Sequence, residues 1–321
     1  MRYSPLFFIL VFLLCSCSKE KGQLVYVEAN QQQGFNFPYF VFLPNEMPAD
    51  KEHYLIVEPN NSGFASDKFE EHLEKARRLA SNSYYLGNYI AQQLQHPLLV
   101  PVFPRSKTDW QIYTHALDRD VMNQHDNELE RLDLQLLAMI DDAKKRLNSM
   151  GFITNDKILM TGFSASGTFA NRFSLLHPEE ILALAAGGLN GLLMLPTDSL
   201  LGKPLSYPLG THDFESRFEK TFNNQAFQSL PQFLFMGELD DNDAIPFSDG
   251  YDTDERDLIY LLLGEEMQPQ RWNRCREIYR NHRINATVKT YPQIGHQHPQ
   301  VVKEEVLEFF RSAIRKAEVR E

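Results

Sequence analysis

Cysteine is almost missing from this chain. Its 321 residues include three, and two of those, Cys15 and Cys17, fall at the extreme N-terminus. Beyond that end Cys275 stands alone, so no intramolecular disulfide can form and no cysteine cluster points to zinc. Its helix-like setting, RWNRCREIYR, suits a packed side chain better than a reactive thiol. Clustered cations are missing too. The net charge is −11, with no lysine- or arginine-rich block, which argues against nucleic acid as a partner because phosphate binding needs concentrated positive charge. No repeat with a period of roughly 20–50 residues is evident. What is present reads as an ordinary globular chain: 43% hydrophobic, 23% charged and 23 phenylalanines. The length allows one large α/β domain or two modest ones.

The N-terminus stands apart. Arg2 precedes the apolar run Leu6 to Leu14 (LFFILVFLL), far short of the roughly 20 residues that a membrane-crossing helix needs but suited to a signal-peptide core. Leu14-Cys15-Ser16-Cys17 resembles a bacterial lipobox, with an aliphatic residue three places before the cysteine and small residues between. Cys15 fits less well, because Leu14 would occupy the position that should be small. The resemblance implies a signal peptide over 1–16, lipid on Cys17, and an exported lipoprotein held at the cell envelope by that lipid alone. Plain secretion without lipid is the alternative. Residues 17–23 read as a tether, and 24–321 as one α/β domain.

Within that domain strand-like and helix-like segments alternate, the pattern of a mostly parallel central sheet with helices on both faces. The strands are predicted at Leu24–Glu28, Tyr39–Leu43, Tyr54–Glu58, Leu98–Phe103, Lys157–Thr161, Leu182–Gly187, Gln232–Gly237 and Thr287–Tyr291. Several are continuous apolar runs, as befits strands buried on both faces. Helices are predicted over Phe69–Gln95, Glu128–Met150 and Val301–Lys316. The stretch 192–230, rich in proline, glycine and aromatic residues, reads as an insertion over one end of the sheet.

One nonapeptide bears directly on chemistry. Thr161–Phe169, TGFSASGTF, nearly spells G-x-S-x-G, but Ser166 stands where the second glycine belongs and Gly167 follows it. Ser164 lies where an apolar strand, KILMTG, turns into a helix carrying Phe169, Phe173 and Leu176 on one face. A serine there is held in a strained backbone with its hydroxyl exposed. Residues two before and two after it must be small, and the Ala165 N–H points where an oxyanion would form. The alternative is a small-residue turn with no chemistry.

A serine nucleophile needs a base, and the base an orienting carboxylate, in the chain order serine, acid, histidine. After the strand PQFLFMG come Glu238-Leu239-Asp240-Asp241-Asn242-Asp243, just past a strand end where open α/β sheets bind ligands. Asp240 is preferred, Asp243 is a credible substitute and Asp241 is less so. A solvated acidic loop continued by DGYDTDERD is the alternative; the run lacks the pattern of a calcium-binding EF-hand loop. For the base, His296 in Ile294-Gly295-His296-Gln297-His298-Pro299 is preferred over His298, which precedes proline and reads as a helix cap.

From about Phe37 to Phe310 the chain resembles an α/β-hydrolase. TGFSASGTFANRFSLLHPE resembles the serine turn and helix of the esterase-D and polyhydroxybutyrate-depolymerase-like branch, which includes feruloyl and acetylxylan esterases. GELDDNDAIP and IGH resemble the acid and histidine segments of the same superfamily. The resemblance implies a Ser164–His296–Asp240 triad acting on a small-molecule or glycan ester, with neither cofactor nor metal. A serine peptidase of the same fold and a non-catalytic glycan-binding lipoprotein are the rival readings. The second oxyanion donor should follow the third strand, at the backbone N–H of Asn61 or, next, Asn60, although Asn-Asn-Ser-Gly is turn chemistry in any case. Trp110, Tyr113, His115 and Arg119 are expected to line an acyl or sugar subsite; alternatively Asp109 caps a helix while His115 and Asp118 satisfy each other.

Overall fold

Apolar runs without alternation must be covered on both faces, and the computed structural model, which describes residues 21–60 and 63–319, shows how. Eight segments form the main sheet: β1 Gly22–Val27, β2 Tyr39–Pro44, β3 Ile56–Val57, β4 Leu98–Pro101, β5 Ile158–Phe163, β6 Ile181–Gly187, β7 Gln232–Gly237 and β8 Ala286–Tyr291. Their spatial order is β1-β2-β4-β3-β5-β6-β7-β8. The pairs β1/β2 and β2/β4 are antiparallel and the rest are parallel. The strands β2 and β4 to β7 are buried along nearly their whole length, as expected for strands enclosed between helices. All eight lie where the apolar runs place them, within a few residues. The signal sequence, Cys17 and Asn61 lie outside the described residues.

Two apolar layers sandwich the sheet. On one side pack α1 Phe69–Ser81, α2 Leu86–Leu94 and the C-terminal helix, through Leu79, Ile90, Val306 and Phe310. On the other pack α3 Leu132–Ser149, α4 Ala165–Leu176, α5 Thr253–Leu263 and α6 Trp272–Asn281. The last helix, α7, spans Gln300–Glu318.

The chain departs from the sequence expectation in two places. The segment 69–95 is two helices, because the Asn82 side chain accepts the Tyr84 N–H at 2.8 Å and turns the chain between them. The acidic stretch DGYDTDERD is partly helix: Asp252 and Glu255 form a capping box that starts α5, with bonds of 2.7 and 3.0 Å. Between residues 192 and 230 a two-stranded hairpin, Ser199–Leu200 with Lys203–Pro204, and two short helices, Phe214–Phe218 and Asn224–Ser229, help carry Leu205, Tyr207, Phe214, Phe218 and Phe227 into the α4 side of the core. In α6, Cys275 is buried and burial pushes its thiol up to about 12, so it is inert at neutral pH.

Candidate active site

An α/β-hydrolase fold is what this strand order and layering amount to, and in such a sheet the site lies beyond the carboxyl ends of the strands. Ser164 stands there, between β5 and α4, with φ 61° and ψ −129°. A non-glycine residue in that region costs on the order of 1–3 kcal/mol and persists only where its surroundings enforce it. Here they do. The Ser164 N–H donates to the Gly187 carbonyl at 2.9 Å, and the Ser164 carbonyl accepts from Thr168.

The misplaced glycine has a geometric explanation. A Cβ on Gly162 would lie 2.3 Å from the Ser166 carbonyl oxygen, and one on Gly167 would lie 2.4 Å from the Gly187 carbonyl oxygen. Strand and helix backbones therefore meet at residues 162 and 167, and glycine is required at both. Ser166 points elsewhere. It is fully buried, and its hydroxyl accepts from the Phe163 N–H and donates to the Phe163 carbonyl, both at 2.9 Å. The side chain fastens the first turn of α4 to the last residue of β5.

His296 and Asp240 arrive from the loops after β8 and β7. The His296 Nδ1 lies 3.0 Å from each Asp240 carboxylate oxygen. Asp240 is buried and also accepts the Asn242 N–H at 3.1 Å. A carboxylate against Nδ1 holds the proton there and leaves Nε2 as the basic nitrogen; Nε2 has the Asn242 side-chain amide at 3.4 Å. Gly188, at φ 67°, lets this ring and the serine turn approach each other over its bare Cα. A Cβ there would be 2.9 Å from His296 Cε1 and 3.0 Å from the Ser164 nitrogen. The Phe163 ring lies beneath, with centroids 4.8 Å from His296 and 4.9 Å from His298.

The other residues singled out in the sequence fall elsewhere. Asp243 is ion-paired with buried Arg271 and accepts the Ile245 N–H at 3.2 Å. His298 is buried against Phe163 and Tyr84, and burial, with the Lys303 charge next, lowers its pKa to about 4; the N-cap of α7 is Pro299, not His298. The Asn60 side chain is buried, holding the Phe103 carbonyl at 2.8 Å and touching His115 Nε2 at 3.0 Å. Of the four aromatic and basic residues after β4, Tyr113 lines the site. His115 also bonds the Phe103 carbonyl, and Arg119 pairs with Glu255 at 2.5 Å. The cap in this segment is Asp118, which accepts the Val121 N–H at 2.9 Å.

A cavity of about 320 Å³ opens over Ser164 and Ala165. Its walls include Tyr113, Thr168, Arg172, Asn242 and Tyr251. Of these, Thr168, Arg172 and Tyr251 escaped the sequence reading. The signal for two of them was the spacing Ser164, Thr168, Arg172, successive fourth residues that share one helix face. Among the described residues no group of three or more His, Cys, Asp or Glu side chains could hold a metal ion.

The sequence matches no family model and no curated protein. Solved structures do match. Poly(aspartic acid) hydrolase-1 from Sphingomonas sp. KT-1 is similar with a TM-score of 0.58 at 14% identity, over 90% of this chain and 97% of that one. An S-formylglutathione hydrolase from Agrobacterium tumefaciens aligns with a TM-score of 0.52 at 13% identity, covering 92% and 95%. The poly(3-hydroxybutyrate) depolymerase LpqC from Bordetella parapertussis gives 0.52 at 15% identity, covering 90% and 88%. At these identities the likeness is one of fold.

Proposed function

We propose that the chain is an exported serine hydrolase that cleaves carboxylic esters through an acyl-enzyme. The observation that carries this reading is the His296–Asp240 contact at 3.0 Å, with the imidazole and the backbone of positive-φ Ser164 both close against Gly188. Ser164 Oγ attacks the ester carbonyl carbon as its proton passes to His296 Nε2. Asp240 fixes the ring and stabilises the imidazolium that forms. The tetrahedral oxyanion is held by the Ala165 N–H at the start of α4 and by the Asn61 N–H. His296 then returns the proton to the leaving alcohol, and a water that it deprotonates releases the acid. The substrate is a small-molecule or glycan ester; among proteins of similar fold are ones named as a depolymerase and as an S-formylglutathione hydrolase.

A fluorophosphonate probe should label the wild-type protein and leave Ser164→Ala unlabelled. If Ser164→Ala still labelled, or still hydrolysed a p-nitrophenyl ester, the assignment would be lost. Export with lipid on Cys17 completes the reading. Fatty-acid labelling should mark the wild type and be absent from Cys17→Ala.

A further inference from the structure

Three arginines are buried among the described residues: Arg105, Arg172 and Arg271. All adjoin the cavity or its walls, and two are neutralised by carboxylates that line it. Arg105 pairs with Asp249, and Arg271 with Asp243. Arg172 differs. It is 2% exposed and lines the cavity, and among the described residues no carboxylate comes within 4 Å of it. One of its N–H groups donates to the Ala116 carbonyl at 2.9 Å, and the guanidinium lies 5.0 Å from the Tyr251 ring centroid. Asp118 and Glu255 are buried close enough to feel its charge, but Asp118 accepts the Tyr113 and Val121 N–H groups and Glu255 pairs with Arg119 instead.

A buried cation without a counter-charge is costly unless something else satisfies it. A second observation falls at the same wall. Thr168 lines the cavity, and its hydroxyl is buried with no hydrogen-bond partner among the described residues. Ser164, Thr168 and Arg172 follow one another down the same face of α4, at intervals of about 6 Å along the axis. Long helical side chains lean back toward the N-terminus, so the Arg172 head is directed along this row toward Ser164. The remaining lining carboxylate, Asp241, lies in an exposed loop position at the rim.

We infer that Arg172 and the Thr168 hydroxyl form a subsite for a carboxylate carried by the ester substrate, so that the preferred substrates are half-esters of short dicarboxylic acids or esters with an anionic leaving group. The inference rests on the hydrolase reading for its position relative to the bond cleaved. The anion would supply the missing counter-charge through charge-assisted hydrogen bonds, and a neutral ester of equal size would leave both donors unpaired, the situation that gives sites their strongest discrimination.

The test compares kcat/KM on matched pairs: 4-nitrophenyl hemisuccinate against 4-nitrophenyl butyrate, and 4-acetoxybenzoate against its methyl ester. The wild type should favour the anion in at least one pair. In Arg172→Met the anionic-to-neutral ratio should fall by about 10- to 100-fold, the usual worth of a hydrogen bond to a charged group. Arg172→Lys should retain part of the preference, and Thr168→Val should lower the ratio by several-fold. Since Arg172→Met removes a buried contact to Ala116, fluorophosphonate labelling checks that it is folded, and Thr168→Val carries the test if it is not. A wild type indifferent to charge in both pairs overturns the proposal, as does an unchanged ratio in folded Arg172→Met. A direct measurement separates this failure from that of the hydrolase reading. The Tm of Ser164→Ala should rise with glutarate but not with glutaramide, and this rise should vanish in the Ser164→Ala, Arg172→Met double variant. Glutarate binding without fluorophosphonate labelling of the wild type would sink the hydrolase reading and leave the anion subsite. Labelling without charge preference or glutarate binding would do the reverse.

Discussion

Helix α4 has a histidine–aspartate pair at each end. At its start His296 meets Asp240 at 3.0 Å; at its finish His177, the C-cap residue, meets Asp133 at 2.8 Å. Both aspartates are buried. The surroundings of the histidines separate the two. His296 keeps about a quarter of its side chain exposed, against Gly188, which lines the cavity. His177 is buried, and both ring nitrogens are engaged: Lys220 Nζ donates to Nδ1 at 3.2 Å, so Nε2 carries the proton toward Asp133. Arg131 adds two bonds to the same carboxylate, at 2.9 and 2.7 Å. A histidine–aspartate contact is therefore no more a catalytic feature than a structural one. What distinguishes them is a basic nitrogen met, among the described residues, by a long 3.4 Å approach of the Asn242 amide, on a ring that shares Gly188 with a strained serine.

Substitutions at the two ends should break in different ways. The largest effect is expected at the first pair. Ser164→Ala or His296→Ala should lower kcat/KM on a p-nitrophenyl ester by roughly 10⁴- to 10⁶-fold, and Asp240→Asn by about 10⁴-fold, with urea midpoints little changed. The second pair should show the converse. Asp133→Ala should cost about 3–5 kcal/mol in urea unfolding, because it strands buried charge, while the folded fraction keeps its kcat/KM.

The second pair also gives the protein an acid limit. Burial alone would raise the Asp133 pKa, but hydrogen bonds from Arg131 and His177 outweigh it and hold the carboxyl well below the usual range. A folded pKa below the unfolded one stabilises above the unfolded value, about 4, and that contribution drains away as pH falls toward the folded value. Acid titration of Tm should show the loss in wild type and not in Asp133→Ala. Glu58 acts in the opposite direction. Burial pushes it up to about 8, against a Gly87 N–H bond at 2.7 Å and the Lys303 charge. A raised carboxyl pKa favours folding below about 4.5 and loses that contribution as pH climbs through about 8. Glu58→Gln should flatten the decline in Tm between about pH 4.5 and 8.

The smallest change is expected at Ser166. Ser166→Gly removes two hydrogen bonds to Phe163 and adds backbone freedom, so stability should drop by about 1–2 kcal/mol and kcat fall only a few-fold. Loss of all activity in a folded Ser166→Gly protein would mean that the hydroxyl does more than fasten the turn.

Much of this was legible in the residues alone, for a definite reason. Strands buried on both faces announce themselves as unbroken apolar runs, and PQFLFMG and KILMTG place Asp240 and Ser164 at strand ends without any knowledge of contacts. What stayed hidden depends on partners far apart in sequence. Asp133 and His177 are 44 residues apart, and neither segment hints at the other. Asn60 resembles an ordinary turn residue until the segment just after β4 supplies Phe103 for it to hold. Arg172 was the hardest to see, because a lone arginine on a helix is ordinarily solvated, and the segments that make it an interior group, at Ala116 and Tyr251 among others, come from elsewhere in the chain. The capping box Asp252-x-x-Glu255 was visible in principle and was masked by the surrounding acids.

The glycine displaced to position 167 bears on how relatives of this chain would be found. A search string built on G-x-S-x-G passes it over, although its two backbones cross as closely as any such turn allows, 2.3 and 2.4 Å from a hypothetical methyl group. The invariant is clearance, which falls on whichever helical residue faces the neighbouring strand, while the adjoining position is free to carry a small hydroxyl clasp. A string that asks for glycine two before the serine and either two or three after it, with a small residue between, would gather sequences that share this joinery.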